Sequence, residues 1–413
     1  MNKIEQLIEE LCPQGVEFRT LGEVLQRTKG TPITAKKMNE INKKGAPIKI
    51  FAGGKTVAYV EYGDIPEKDV LTTESVVVKS RGIIGFEYIN KPFSHKNEFW
   101  SYHSNNSEIS IKYIFYYLKN KEYYFQSVGK RMSKMPQLSI PDTDKFQIPI
   151  PPLTIQKEIV KILDNFTRLE AELEAELEAR KKQYEHYREE LLSFGDDVEF
   201  RAIGEIVEFA KGASIPRNKT SVDYEVPYLH YGDIYKLYNK EVDLSIEYES
   251  IIKVSIDERI RKNQYIHTGD IVYNLTSETK EDLGKAVVIR NDKDCKFIAG
   301  TETTVMKIIR KDIINPCFFN YLLMTFSYLK DFRRHTTGTK VFRVHPKAIS
   351  KIAIPIPPLS KQKEIAAILN KFDALVNDIS TGLPAEIAAR KKQYEYYRNQ
   401  LLSFQPLETQ DVN

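Results

Sequence analysis

The stretch "IPIPPLTIQKEIVKILDNF" (residues 148–166) returns as "IPIPPLSKQKEIAAILNKF" (residues 354–372), with thirteen of nineteen residues identical. Its Ile-Pro-Ile-Pro-Pro half has missing amide donors and restricted dihedrals, which predicts an extended link. A helix is expected to follow each link, with Thr154 and Ser360 as its N-caps. Upstream, "EFRTLGEVLQRTKG" (residues 17–30) returns as "EFRAIGEIVEFAKG" (residues 199–212), seven of fourteen identical. Downstream, "ARKKQYEHYREELLSF" (residues 179–194) returns as "ARKKQYEYYRNQLLSF" (residues 389–404), thirteen of sixteen identical. The chain is two copies of one unit. The copies are offset by 182, then 206, then 210 residues, so their length differences fall in two places.

The second difference lies beside "RLEAELEAELEAR" (residues 168–180), which steps forward in four-residue Glu-Ala-Glu-Leu units of strong helix formers. Each unit adds about 6 Å and about 40° to a helix. Glu176–Arg180 and Glu178–Lys182 are favourable i,i+4 pairs, whereas Glu170, Glu174 and Glu178 repel along one face. A stripe of Leu173, Leu177, Arg180, Tyr184, Tyr187, Leu191 and Phe194 has its match in Leu383, Ile387, Arg390, Tyr394, Tyr397, Leu401 and Phe404. This heptad-like spacing predicts two long helices that pack on each other, antiparallel if a pseudo-twofold relates the halves. "STGLPAE", with Pro384 near a first turn, predicts a bend in the second.

Between the repeated blocks, residues 31–147 and 213–353 show no defensible alignment. Divergence over domain-sized stretches beside nearly identical helices suits two modules with one mounting and different targets. "ESVVVKS", "GIIGFEYI", "IVYNL", "KAVVIR" and "TTVMKII" read as strands, and "ISIKYIFYYLKN" and "PCFFNYLLMTFSYL" as amphipathic helices. The expected fold class is α+β. Two mixed α/β domains in pseudo-twofold arrangement are joined by two long antiparallel coiled-coil-like helices. The boundaries expected are 1–147 for the N-terminal helix and first domain, 148–198 for the central helical spacer, 199–353 for the second domain and 354–413 for the C-terminal helical region.

The chemistry of catalysis is missing from the pattern. "AGGKT" (residues 52–56) ends like a phosphate loop, but Lys49 stands where the first Gly is needed. No Gly-x-Gly-x-x-Gly and no Asn-Pro-Pro-Phe/Tyr tetrapeptide occurs, and the seven histidines never fall at helical metal spacing. No acid-x-Lys follows Pro141 and Asp142 at a workable distance. Cys12, Cys295 and Cys317 are too few and scattered for a disulfide framework or a zinc site. A net charge of +4 over 413 residues is mild, and no apolar run approaches the roughly 18 residues of a membrane span. A cytoplasmic, non-catalytic protein without metal or cofactor is expected.

Charge points to a partner. Residues 119–134 hold five Lys/Arg against one Glu, and residues 328–351 hold seven against one Asp, each just before its Pro-rich link. Symmetric basic segments with Gly, Ser, Thr and aromatics interleaved suit phosphate and base-edge contacts. Lys130, Arg131 and Lys134 in one half, and Arg333, Arg334, Lys340 and Arg343 in the other, are the leading candidates. Gly-flanked Lys29, Lys55, Arg81, Lys211 and Lys280 join them. The stripe residues Leu173, Leu177, Tyr184, Tyr187, Leu191, Leu383, Ile387, Tyr394, Tyr397 and Leu401 are the candidate helix-to-helix spacer.

The paired "IPIPPL…QKEI" and "ARKKQYE" blocks, "CPQGVEFRTLGEV" near the start and "GLPAEIAARKKQYEYYR" near the end resemble the specificity subunit of type I restriction-modification systems. The resemblance covers the mounting regions of both halves, roughly a third of the chain. It implies that the variable stretches are two target recognition domains, each reading half of a split, asymmetric double-stranded DNA sequence, while the helices set the gap. It also implies two methyltransferase subunits docked on the repeated helices, with restriction and motor subunits reached through them. S-adenosylmethionine, ATP and Mg are then expected on those partners only. A near-circular arrangement would bring the C-terminal segment close to the N-terminal helix. The alternative is a stand-alone pseudo-dimeric DNA-binding protein, regulatory or architectural.

Overall fold

A computed structural model describes residues 3–131, 135–238, 240–255, 260–293, 295–300, 302–378 and 380–407. The chain divides into two compact units, residues 1–173 with 387–413, and residues 174–386. Each boundary falls inside a helix, so neither long helix belongs to one unit alone.

In the first unit the strands Gln26–Lys29, Trp100–His103, Ser75–Lys79 and Gly85–Ile89 lie side by side in that order, all antiparallel. A smaller sheet orders Val57–Val60, Ile48–Phe51 and Phe93–His95, its last pair parallel. The second unit repeats this order with Val207–Lys211, Thr303–Ile308, Ile271–Asn274 and Ala286–Arg290. It repeats the smaller sheet with Lys253–Val254, Val226–Leu229 and Ile298–Ala299, again with a parallel last pair. Stretches that do not align in sequence therefore share one topology. The second unit adds the strand Glu241–Asp243, parallel to Ala286–Arg290, and the helices Tyr231–Lys236 and Leu244–Glu247. This insertion lies between the strands Val226–Leu229 and Lys253–Val254, and much of the longer second copy is found in it.

Each globular part is closed where the repeated blocks meet. Phe18–Thr20 pairs antiparallel with Gln147–Pro149, and Phe200–Ala202 pairs with Ala353–Pro355 in the same register. The Pro-rich links are thus edge strands, where a missing amide donor costs nothing. Gln156 and Gln362, both fully buried, then lock the helices that follow. The Gln156 amide donates to the carbonyls of Pro151 and Glu108 and accepts from the Ser110 amide. Gln362 donates to Pro357 and Ile313 and accepts from Asn315. The same three bonds twice over explain why Gln stays in "QKEI": an apolar side chain would leave the half-buried amide of Ser110 or Asn315 unpaired.

The helix Leu153–Leu191 runs 39 residues, about 58 Å at about 1.5 Å per residue. Its Ile155, Ile159 and Leu163 recur every fourth position and are fully buried in the core of the first unit. Beyond Thr167 the Glu-Ala-Glu-Leu units are solvated except along the stripe, and Tyr184 re-enters a core, that of the second unit. Within the first unit Phe166 packs against Tyr394 and Tyr397, with ring centroids 5.9 and 5.7 Å apart, and Lys391 meets Glu170 at 3.3 Å. Within the second, Phe372 packs on Tyr187 at 5.4 Å. The stripe tyrosines therefore meet phenylalanines of the "QKEI" helices, running antiparallel, rather than the opposite stripe's tyrosines. A "QKEI" helix cannot bury its face against its own continuation, so it takes the "RKKQYE" helix of the other copy.

Several local expectations change. The helices begin at Leu153 and Leu359, with Pro358 as the second N-cap, so Thr154 and Ser360 lie inside the first turn. Proline supplies the non-helical dihedrals of a cap without a side-chain bond. The bend expected at Pro384 is a break between the helices Leu359–Asn377 and Leu383–Leu401. There the Asp378 carboxylate accepts from Ser380 and Thr381, which holds it well below the usual carboxylate range. "PCFFNYLLMTFSYL" is two helices, Pro316–Leu322 and Phe326–Arg334, because Thr325 accepts from the Tyr328 amide and caps the second. Glu178 pairs with Lys181 at 3.3 Å rather than with Lys182. Val16, which follows the N-terminal helix Lys3–Leu11, and the segment 405–407 exchange backbone bonds of 2.8 and 2.9 Å within the first unit.

Candidate nucleic-acid interface

Two clefts occupy matching positions in the two units. In the first, Lys29 ends a strand, and Gly30 follows because the chain there crosses the carbonyl of His95 so closely that a Cβ would lie 1.9 Å from it. In the second, Lys211 ends the equivalent strand, and a Cβ on Gly212 would lie 2.0 Å from the carbonyl of Gly300. The repeated "KG" is thus a lysine presented at a strand end and a glycine imposed by backbone contact. Lys29 lines a cleft of about 790 Å³ with Arg27, Lys68, Asn97, Trp100 and Gln137. Lys211 lines one of about 720 Å³ with Thr276, Glu302, Thr337 and Arg343. A further cleft of about 370 Å³ adjoins Lys211 and adds Arg261, Asn263 and Gln264.

One segment forms the far wall of each cleft and is held in the same way in both. Leu138 donates its amide to Ser80 at 2.8 Å, and Val344 donates to Leu275 at 3.0 Å. The preceding residues, Gln137 and Arg343, bridge antiparallel to Arg81 and Thr276. Helices follow at once, Ile140–Asp144 after Ser139 and Pro346–Ile349 after His345. Gln137 and Arg343 are separated by the same offset as the Pro-rich links.

In the first unit the sequence candidates gather around this wall. Arg81 faces Gln137 across the bridge, and the Gln137 amide donates to Gly129 at 3.1 Å, which puts Lys130 and Arg131 at the adjoining helix end. Lys55 sits on an exposed turn whose Gly54 lies beside Gly82. Lys134 lies outside the described residues. In the second unit Thr337 and Arg343 close a hairpin through two backbone bonds of 2.8 and 2.9 Å, with Lys340 exposed between them. Lys280 approaches the Phe342 ring at 5.2 Å and joins that hairpin. Arg333 and Arg334 end the helix that leads into it, and Arg334 is paired with Asp331 at 2.8 Å.

Arg27, Lys68, Asn97, Gln137 and Arg261 line these clefts without standing out in the sequence pattern. Arg27 was within reach, since it stands two residues before Lys29 on one strand and shares its face. Lys68 and Asn97 arrive from loops that only folding brings near. Of the carboxylates that line the first cleft, Glu98 is engaged by Lys96 at 2.9 Å, and the cleft's Arg27 lies 3.9 Å from Asp144 outside the lining. Glu302 has a φ of 63°, a costly conformation for a non-glycine residue and one that recurs at binding sites. Among the described residues no group of three or more His, Cys, Asp or Glu is placed to hold a metal ion, and no helix is long and apolar enough to cross a membrane.

The type I restriction modification DNA specificity domain matches residues 13–179 and again residues 195–389. The specificity subunit of an Escherichia coli type I restriction enzyme is 31% identical over 319 residues, 74% of either chain. The S subunit of a type I restriction-modification system from M. genitalium superposes with a TM-score of 0.56 at 15% identity, over 94% of this chain and 96% of that one. A chain from the type I R-M system, solved in work on complex assembly and conformational transition, gives 0.56 at 13% identity over 94% and 98%. At those identities the likeness of the solved chains is one of fold. With both copies of the repeat matched and a relative this similar, the chain belongs to the family of type I restriction-modification DNA specificity subunits.

Proposed function

We propose that this chain is the sequence-reading, non-catalytic subunit of a DNA methyltransferase and restriction complex, each cleft taking one half of a split double-stranded target. The observation that carries the reading is the pair of clefts: the same walls and the same strand-end lysine, but different linings. A duplex laid across Lys29, Arg81, Lys130 and Arg131, or across Lys211, Lys280 and Lys340, has its phosphates neutralised, which supplies affinity without sequence information. Side chains on the far wall then meet base edges. Because the two linings differ, the two half-sites differ and the target is asymmetric.

The repeated helices carry the rest of the proposal. Two methyltransferase subunits dock on the near-identical "RKKQYE" segments, with restriction and motor subunits bound through them. S-adenosylmethionine, ATP and Mg belong to those partners. The Glu-Ala-Glu-Leu helix sets the gap between half-sites.

Methylation sequencing of genomic DNA from cells with and without this chain, co-expressed with its methyltransferase, tests the reading. The expected result is a split, non-palindromic motif modified on both strands and lost without the chain. No change, with an active methyltransferase demonstrated, would overturn the reading in favour of a stand-alone DNA-binding protein.

A further inference from the structure

We infer that Gln137 and Arg343 are the base-reading residues of their two clefts, Gln137 for an adenine and Arg343 for a guanine. The inference rests on the proposed function and goes beyond it by assigning specificity to two residues.

Three observations converge on this pair. Both residues occupy one structural position, defined by an antiparallel bridge on one side and a helix start three residues later. Both are exposed into a cleft wall, and among the described residues neither side chain is engaged by a hydrogen bond or an ion pair. Cations suited to phosphate stand beside each: Arg27, Lys29 and Lys68 share the cleft with Gln137 and Arg81 faces it across the bridge, while Lys211 shares the cleft with Arg343. The backbone of each is fixed by ladder or bridge bonds, which holds the base of the side chain steady while its end stays open. A residue used for packing would be buried, and one used only for charge would not be Gln in one unit and Arg in the other.

The chemistry then separates the two. A glutamine amide offers a donor and an acceptor together, which matches adenine N7 and N6 in the major groove, while a guanidinium offers two donors, which matches guanine O6 and N7. The same wall position would thus read an A·T pair in one half-site and a G·C pair in the other.

The test uses the full chain in complex with its methyltransferase, with genomic methylation as the readout. Gln137→Arg is expected to change one adenine to guanine in one half-site and leave the other half untouched. Arg343→Gln is expected to change one guanine to adenine in the other half-site. A wild-type motif that persists unaltered in both variants overturns the inference while leaving the proposed function standing. Absence of any split motif with the wild-type chain overturns the function itself.

Should the exchanges abolish modification, binding of the purified complex to duplexes varied base by base decides. Gln137→Ala should remove a discrimination of roughly 10- to 100-fold at one position and leave the other positions discriminated as before. A loss spread evenly over all sequences, as expected of Lys29→Ala, would make Gln137 a phosphate contact and overturn the assignment.

Discussion

Gly212 illustrates how much one missing side chain can carry. A Cβ there would meet the Gly300 carbonyl at 2.0 Å and the Thr303 hydroxyl at 2.4 Å, and the first of these is backbone that cannot swing away. Gly212→Ala should therefore cost about 1–3 kcal/mol, typical of an inserted group that shifts its surroundings, and should displace Lys211 from its cleft. Urea unfolding together with DNA binding checks this; an unchanged midpoint would mean that the strand crossing is looser than its geometry. His95, the residue that Gly30 crosses, offers a second test. It is fully buried, and burial pushes its pKa from the ordinary 6.5 down to about 4. Above pH 6.5 the ring is neutral whether or not the chain is folded, and its contribution is complete. As pH falls toward 4, the unfolded chain takes up a proton that the folded chain refuses, so stability declines, by on the order of 3 kcal/mol. Trp100, the single tryptophan, lies in the same unit and reports its unfolding by fluorescence. The decline should flatten in His95→Gln.

Among the elements, the 39-residue helix joins local propensity to function. Its central units hold few buried contacts, and their surface pairs, Arg168 with Glu172 at 2.8 Å and Arg180 with Glu176 at 2.7 Å, are exposed and worth little. Length is what the repeat contributes. Removing residues 174–177 takes away about 6 Å and about 40°, while one base pair is about 3.4 Å and roughly 35°. The rotations match better than the lengths, so the deletion should shorten the preferred gap by about one base pair while both half-sites stay the same. Methylation sequencing reads both at once, and an unchanged gap would end the ruler reading. The basic helix ends were legible as charge, but the split of "PCFFNYLLMTFSYL" was not, because a Thr inside an apolar run is a cap only once its hydroxyl meets the Tyr328 amide.

Over the whole molecule, sequence alone determined the two-copy plan, because repeated blocks are covalent facts that need no coordinates. It also determined the strand runs such as Ser75–Lys79, and the helical nature of the spacer, since these follow from local pattern and propensity. Only the tertiary structure decided that the diverged stretches share one sheet order, because pairing joins strands far apart in the chain and tolerates many side chains. It also decided which helix meets which: "QKEI" of one copy takes "RKKQYE" of the other, a choice made by Phe166 against Tyr394 and Tyr397, and by Phe372 against Tyr187. Lastly it decided the clefts. Lys29 and Lys211 were visible as basic residues beside glycine, but the walls that Gln137 and Arg343 provide reach them from more than a hundred residues away, and packing alone sets that distance.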